Sequence, residues 1–220
     1  MARPDWAWTA GAAALICTAA VGLSAHRLDE HLQAARIAIE LERVDVELDI
    51  TPGADVADAL VSAIDGDHDG QLSEAERDAY AQRAIVGLAL TIDGRGHALH
   101  LVSASVPDVT SMRRGEGTIR LQSRAAITAQ DSGAHQLRFV NANALVRSAY
   151  LANALVPDNP RLMVTAQHRS VDQRDVTIDY TVAGDGRVWT APLAWSVAAA
   201  MVMLPLGLRL FRPRDRSARA

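Results

Sequence analysis

The chain has 220 residues, of which 49% are hydrophobic and 22% charged, and its formal net charge at pH 7 is −4. A slightly acidic chain with no lysine and no basic patch in its central part argues against nucleic acid as a partner. With Cys17 as the single cysteine, a disulfide framework is also excluded. The central residues 26–187 are enough for one domain with its own hydrophobic core.

The N-terminal region has the pattern of a secretory signal. Arg3 precedes an uncharged, alanine-rich run from Trp6 to Ala25, and small residues close that run. A basic start, an apolar stretch and small residues before the cut are typical of a signal peptide. We therefore expect residues 1–25 to be removed after Ala25; the alternative is an uncleaved signal anchor.

The first part of the central domain predicts a β-hairpin. Apolar and polar residues alternate on both sides of a tight turn at Glu42-Arg43. This period of two is typical of strands with one buried face. The apolar positions are Ile37, Ile39 and Leu41 before the turn, and Val44, Val46, Leu48 and Ile50 after it.

The most informative stretch is the twelve-residue loop 65–76, which fits the pattern D-x-[DN]-x-[DN]-G-x₅-E at every defined position. Gly70 permits the sharp bend at the sixth position. Carboxylates at positions 1, 3, 5 and 12, a backbone carbonyl at position 7 and a hydroxyl or water at position 9 surround one hard cation. The predicted ligands are Asp65, Asp67, Asp69, Gln71, Ser73 and Glu76. Ligands that are all oxygen favour calcium over transition metals.

Helical patterns flank this loop. Residues 54–64 carry apolar residues four apart, and Ser73 with Glu76 forms the capping-box sequence of a second helix. Residues 54–86 therefore resemble an EF-hand. The resemblance implies a calcium site in a helix–loop–helix. Because the sequence has no second loop of this kind, we expect a weak structural site, with Kd on the order of 10⁻⁴–10⁻³ M, rather than a calmodulin-type sensor.

Further strands follow the helix–loop–helix. A second hairpin is predicted from Leu88, Leu90 and Ile92 through the turn at Asp93-Gly94 to Leu99 and Leu101. Later alternating positions are Ile119, Leu121, Leu137, Phe139, Leu162, Val164, Val176, Ile178, Tyr180 and Val182. About eight short strands indicate a mainly β fold, an antiparallel β-sandwich that carries the helix–loop–helix as an insertion. Residues 140–157 fit either a short helix or an irregular crossover, with asparagines that satisfy loop backbone groups.

The C-terminal region predicts one transmembrane helix. Residues 188–208 carry no charge and are long enough to cross a hydrocarbon core of about 30 Å. The tail 209–220 holds five arginines and a single acidic residue, Asp215. Because basic tails stay in the cytoplasm, we expect the main domain to lie in the periplasm of a bacterial inner membrane. The alternative is a buried core helix.

A second resemblance covers most of the central domain. The start at Ala25-His26-Arg27-Leu28-Asp29, the two early strands, the inserted loop and the stretch 150–155 resemble the extracytoplasmic domain of HupE/UreJ- and NicO-type nickel/cobalt permeases. This chain has one predicted C-terminal span where those permeases have several, and it lacks their histidine-rich helices. The resemblance implies an accessory domain beside a membrane transporter.

Several histidines could carry other metal chemistry. After cleavage, the amine and imidazole of His26, with His31 nearby, would offer a copper or nickel site; the alternative is that both are ordinary polar residues. His97 and His100 have a spacing that puts them on opposite strand faces. The sequence has no nucleophile elbow, zinc-protease helix, phosphate loop or catalytic carboxylate pair, so no motif indicates an enzyme. We expect a non-enzymatic calcium-binding module anchored in a membrane, with transition-metal handling as the alternative.

Overall fold

The computed structural model describes residues 29–184. The predicted signal peptide 1–25 and the predicted membrane span 188–208 with its tail lie outside these residues. Among residues 29–184, no helix has the length and apolar character that crossing a membrane requires.

The first two strands form the predicted hairpin. Strands β1 (His31–Ile39) and β2 (Arg43–Pro52) pair antiparallel, with Ile37 opposite Val46 and Ile39 opposite Val44. In both strands every second side chain is buried. The alternation in the sequence therefore reflects one face on the core and one face toward solvent.

The rest of the described chain adds eight strands and three α-helices. The strands are β3 (Leu88–Ile92), β4 (Arg95–His97), β5 (His100–Ser105), β6 (Ile119–Ala126), β7 (Gly133–Asn141), β8 (Ser148–Ala154), β9 (Leu162–Arg169) and β10 (Asp175–Val182). After a short 3₁₀ turn at Ala54–Val56, the helices are α1 (Ala57–Ile64), α2 (Glu74–Val86) and α3 (Val109–Arg113). The fold is mainly β, as the sequence predicts.

The ten strands form two five-stranded sheets. One sheet has the order β5-β6-β2-β1-β8 and the other the order β4-β3-β7-β10-β9. Core residues from both sheets, such as Leu48, Leu121, Phe139 and Ile178, are fully buried in one hydrophobic cluster. This arrangement is consistent with the predicted β-sandwich.

One pairing within the described residues departs from the antiparallel expectation. β1 pairs with β8 in parallel, with His31 opposite Ser148 and Ile37 opposite Ala154. Residues 148–154, for which the sequence left a short helix or an irregular crossover open, are therefore a strand at the edge of the first sheet. Its apolar residues are mostly small, so the sequence pattern does not favour a strand.

The second predicted hairpin is only partly correct. β3 pairs with β4 across the turn at Asp93-Gly94, with Leu90 opposite His97. The chain then leaves this sheet, and β5 pairs with β6 in the other sheet, with Leu101 opposite Ser123. β4 has only three residues, so Leu99 lies in the segment between the two sheets and Leu101 lies in β5; neither belongs to the hairpin.

Candidate metal site

The predicted metal loop joins α1 to α2, between β2 and β3. Asp65 is the C-terminal cap of α1, and its backbone N–H donates to the carbonyl of Val61 at 2.8 Å. Ser73 is the N-terminal cap of α2. The loop therefore lies between two helix ends, and each end contributes one of the predicted ligands.

Asp65 is the most buried acidic side chain of the loop, with 5% of its surface exposed. Its Oδ2 accepts a hydrogen bond from the backbone N–H of Gly70 at 3.0 Å. Its Oδ1 is buried and has no hydrogen-bond partner within the described residues. A buried carboxylate oxygen without a partner is costly, and a bound cation removes that cost.

Glu76 reaches back over the loop from the first turn of α2. Its Oε1 accepts from the N–H of Gly66 at 2.6 Å and of Asp67 at 3.3 Å. Its Oε2 accepts from the hydroxyl of Ser73 at 2.7 Å and from the N–H of Ser73 at 2.9 Å. The Ser73 hydroxyl, followed by these backbone donors, lowers the pKa of Glu76 to about 2. Glu76 therefore carries its negative charge at every physiological pH.

Three of the predicted ligands converge. Asp65, Asp67 and Glu76 each place a carboxylate oxygen so that these atoms lie within 4.8 Å of one another. Asp65 is buried, Asp67 is exposed and Glu76 is half-buried. Three carboxylates at this separation repel one another unless a cation lies among them, and oxygen donors suit a hard divalent ion.

The other predicted ligands lie in the same loop but outside this group of three. The carboxylate of Asp69 accepts from the N–H of Gln71 at 2.7 Å, so it caps the loop backbone. Ser73 hydrogen-bonds Glu76 instead of standing apart from it. An ion at this position would have to draw Asp69 inward to give the full predicted ligand set.

The loop backbone takes two left-handed residues. Gly70 has φ +81° at the predicted bend, and His68 has φ +60° two residues before it. The side chain of His68 is exposed. Leu72 is 8% exposed and belongs to the hydrophobic core, which ties the loop to the rest of the domain.

Sequence reasoning did not single out Asn143 as part of this region. Its side-chain amide donates to the carbonyl of Ala84 near the C-terminal end of α2 at 2.9 Å. This agrees with the expectation that asparagines of this segment satisfy backbone groups, but the sequence gives no sign that the backbone group belongs to α2. The one sequence feature that relates to this contact is the glycine at position 87. An added Cβ there would lie 2.2 Å from the Asn143 side-chain oxygen, so a larger residue would displace Asn143.

The histidines do not join the acidic group. Both ring nitrogens of His31 are buried without a hydrogen-bond partner among the described residues, and burial lowers its pKa. His97 ends β4 and His100 begins β5, so they lie in different sheets. His135 hydrogen-bonds Asp93 at 2.8 Å. His26, the residue on which the transition-metal alternative depends, lies outside the described residues.

Comparisons with protein-family models, with curated proteins and with solved structures find no match to this chain. The resemblances to an EF-hand and to the permease domain therefore stay predictions from the sequence.

Proposed function

We propose that this protein is a non-enzymatic, calcium-binding module in which the ion acts as a structural brace between α1 and α2. In this proposal residues 54–86 work as a single EF-hand. Asp65, Asp67 and Glu76 provide the first carboxylates, and Asp69, Gln71 and Ser73 complete the set. The ion would neutralise charges that otherwise push the two helix ends apart.

The observation that carries the proposal is the Oδ1 atom of Asp65. It is buried and unpartnered, and its carboxylate belongs to the group whose oxygens lie within 4.8 Å of one another. An acidic surface turn would leave such an oxygen to water. The hydrogen bonds from Gly66, Asp67 and Ser73 already hold Glu76 over the loop, so the three converging carboxylates need little rearrangement to bind an ion, whereas Asp69 has to turn inward.

The proposal places the domain outside the cytoplasm, anchored by one helix at residues 188–208. The support for this part is the sequence alone: the signal pattern at 1–25, the uncharged run and the arginine-rich tail. Millimolar calcium is available outside the cytoplasm, which matches a weak site. A membrane transporter or another envelope protein is the proposed neighbour.

Calorimetric titration of the purified full chain in mild detergent tests the calcium site. After treatment with a chelator, calcium should bind with one site per chain and Kd on the order of 10⁻⁴–10⁻³ M. Magnesium should bind more weakly because it demands a tighter octahedral shell, and nickel should not compete because the site has no nitrogen or sulfur ligand. Absence of calcium binding at 10 times that concentration range would contradict the proposal.

No observation within residues 29–184 favours the transition-metal alternative. The one group of metal-ligating side chains among these residues consists of carboxylates. The alternative depends on His26, and the nickel arm of the same titration, repeated with His26→Ala, measures it directly.

A further inference from the structure

The C-terminal end of α2 is held by a residue that lies more than fifty positions away in the sequence. The last four carbonyls of a helix have no partner within the helix. Arg83 and Ala84 contribute two of them in α2: the carbonyl of Arg83 accepts from Gly87 at 3.1 Å, and that of Ala84 accepts from the Asn143 side chain at 2.9 Å. The N–H of Ala142 also donates to the carbonyl of Gly87 at 2.8 Å.

Asn143 is in turn fixed to both sheets. Its backbone carbonyl accepts from Gln33 on β1 at 3.3 Å, from the hydroxyl of Tyr150 on β8 at 2.7 Å and from Arg174, next to β10, at 3.0 Å. The guanidinium of Arg174 stacks 4.4 Å above the Tyr150 ring. One residue therefore links the end of α2 to elements of each sheet.

The proposed calcium ligands come from two different helices. Asp65 ends α1, whereas Glu76 lies in the first turn of α2. A helix of 13 residues is a rod about 20 Å long, so its orientation depends on how both ends are held. The C-terminal half of α2 packs its buried residues Tyr80, Ala81, Ala84 and Ile85 into the hydrophobic core. Its side-chain hydrogen bonds to other elements are the Asn143 bond to Ala84 and the bond from Arg83 to the carbonyl of Ala63 in α1 at 3.0 Å.

We infer that Asn143 is a positioning residue for the calcium site, an inference that rests on the proposed function. By fixing the far end of α2 against the sheets, Asn143 keeps Glu76 in place opposite Asp65 before the ion arrives. A ligand set that is already in position loses less conformational entropy when it binds. The segment that carries Asn143 thus gives this single helix–loop–helix the support that a second hand gives in paired sites.

Calorimetric titration of the full chain with calcium tests the inference. Asn143→Ala should weaken calcium binding by about 3- to 10-fold, because the C-terminal half of α2 loses one of its two side-chain hydrogen bonds to other elements. If Asn143→Ala does not unfold cooperatively, Asn143→Ser is measured in its place. Gly87→Ala should have a similar effect by another route, since its Cβ would displace the same side chain. The double variant should be weakened less than the product of the two single effects.

Gln130→Ala is the matched control for general loss of stability. Gln130 hydrogen-bonds the hydroxyl of Tyr180 on β10. Tyr180 lies opposite His135 of β7, six residues before Asn141, where β7 ends. This variant should lower the melting temperature and leave Kd within a factor of two of the parent.

The outcomes separate the two proposals. If the parent binds calcium and Asn143→Ala lowers the melting temperature without changing Kd, Asn143 is only structural and the inference is wrong. If the parent binds no calcium, the proposed function and the inference both fail. A fully multiplicative double variant would also overturn the inference, because the two changes would then act at unrelated places.

Discussion

Replacing Asp65 with asparagine should change stability in opposite directions with and without calcium. Asparagine keeps the shape and the oxygen that accepts from Gly70, but it removes one charge from the group of three carboxylates. Two unit charges 4.8 Å apart repel by about 0.9 kcal/mol in bulk water and by about 3.5 kcal/mol at an effective dielectric constant of 20.

Without calcium, Asp65→Asn should therefore raise the free energy of unfolding by about 1–2 kcal/mol at low salt, since two repulsive pairs are lost. For a domain of this size that is about 2–8 °C in melting temperature. With calcium the order should reverse. Calcium at 100 times Kd adds about 2.7 kcal/mol to the parent, or about 5–11 °C, and almost nothing to the variant.

Thermal unfolding of the full chain, followed by circular dichroism in chelator and in calcium at 100 times the Kd from the titration, measures both effects. Asp78→Asn is the matched control, because it removes the same charge from the exposed side of α2, outside the loop. It should keep the full calcium response. A calcium shift of equal size in Asp65→Asn and the parent would refute the reasoning, and so would a destabilised variant in chelator.

Three further predictions follow from the fold. Gly70→Ala should lower the free energy of unfolding, measured by urea denaturation, by about 1–2 kcal/mol, because φ is +81° there. The same variant should abolish calcium binding. The control is Gly96→Ala, where an added Cβ meets nothing within 4 Å, and it should leave calcium binding unchanged. Although burial opposes it, the hydrogen bond to Asp93 raises the pKa of His135 from its ordinary 6.5. This pair should stabilise the domain below pH 6.5 and lose its effect as pH rises through the raised pKa, so His135→Gln should flatten that part of the stability profile. Finally, a protease site inserted at Val171, which is fully exposed, should be cut by protease added to spheroplasts; protection until lysis would contradict an extracytoplasmic domain.

Local patterns were enough to predict part of the fold. The first hairpin and the two helices around residues 65–73 follow from alternation and from the capping box at Ser73 and Glu76, which depend only on neighbouring residues. The crossing of β5 to the other sheet could not be predicted in this way, because it depends on which sheet has an open edge. The parallel pairing of β8 with β1 is also a contact between distant parts of the chain.

The same distinction holds for the candidate site. Spacing alone predicted that Asp65, Asp67 and Glu76 would meet, since all three lie in one loop. Two hydrogen bonds could not be predicted in this way, because they depend on side-chain rotamers and tertiary contacts. One joins the Asp69 carboxylate to the N–H of Gln71, and the other joins the Asn143 amide to the carbonyl of Ala84. Such contacts leave no periodic signal in the sequence.

The parallel pairing of β1 and β8 has a consequence for the order of folding. β1 lies between β2 and β8, so its second edge stays open until residues 148–154 are available. Contacts over more than a hundred residues raise the contact order and slow folding. If the chain is threaded through a membrane from its N-terminus, β1 will have one open edge on the far side until most of the chain has followed. A holding chaperone there would shorten the interval in which that strand can pair with another molecule.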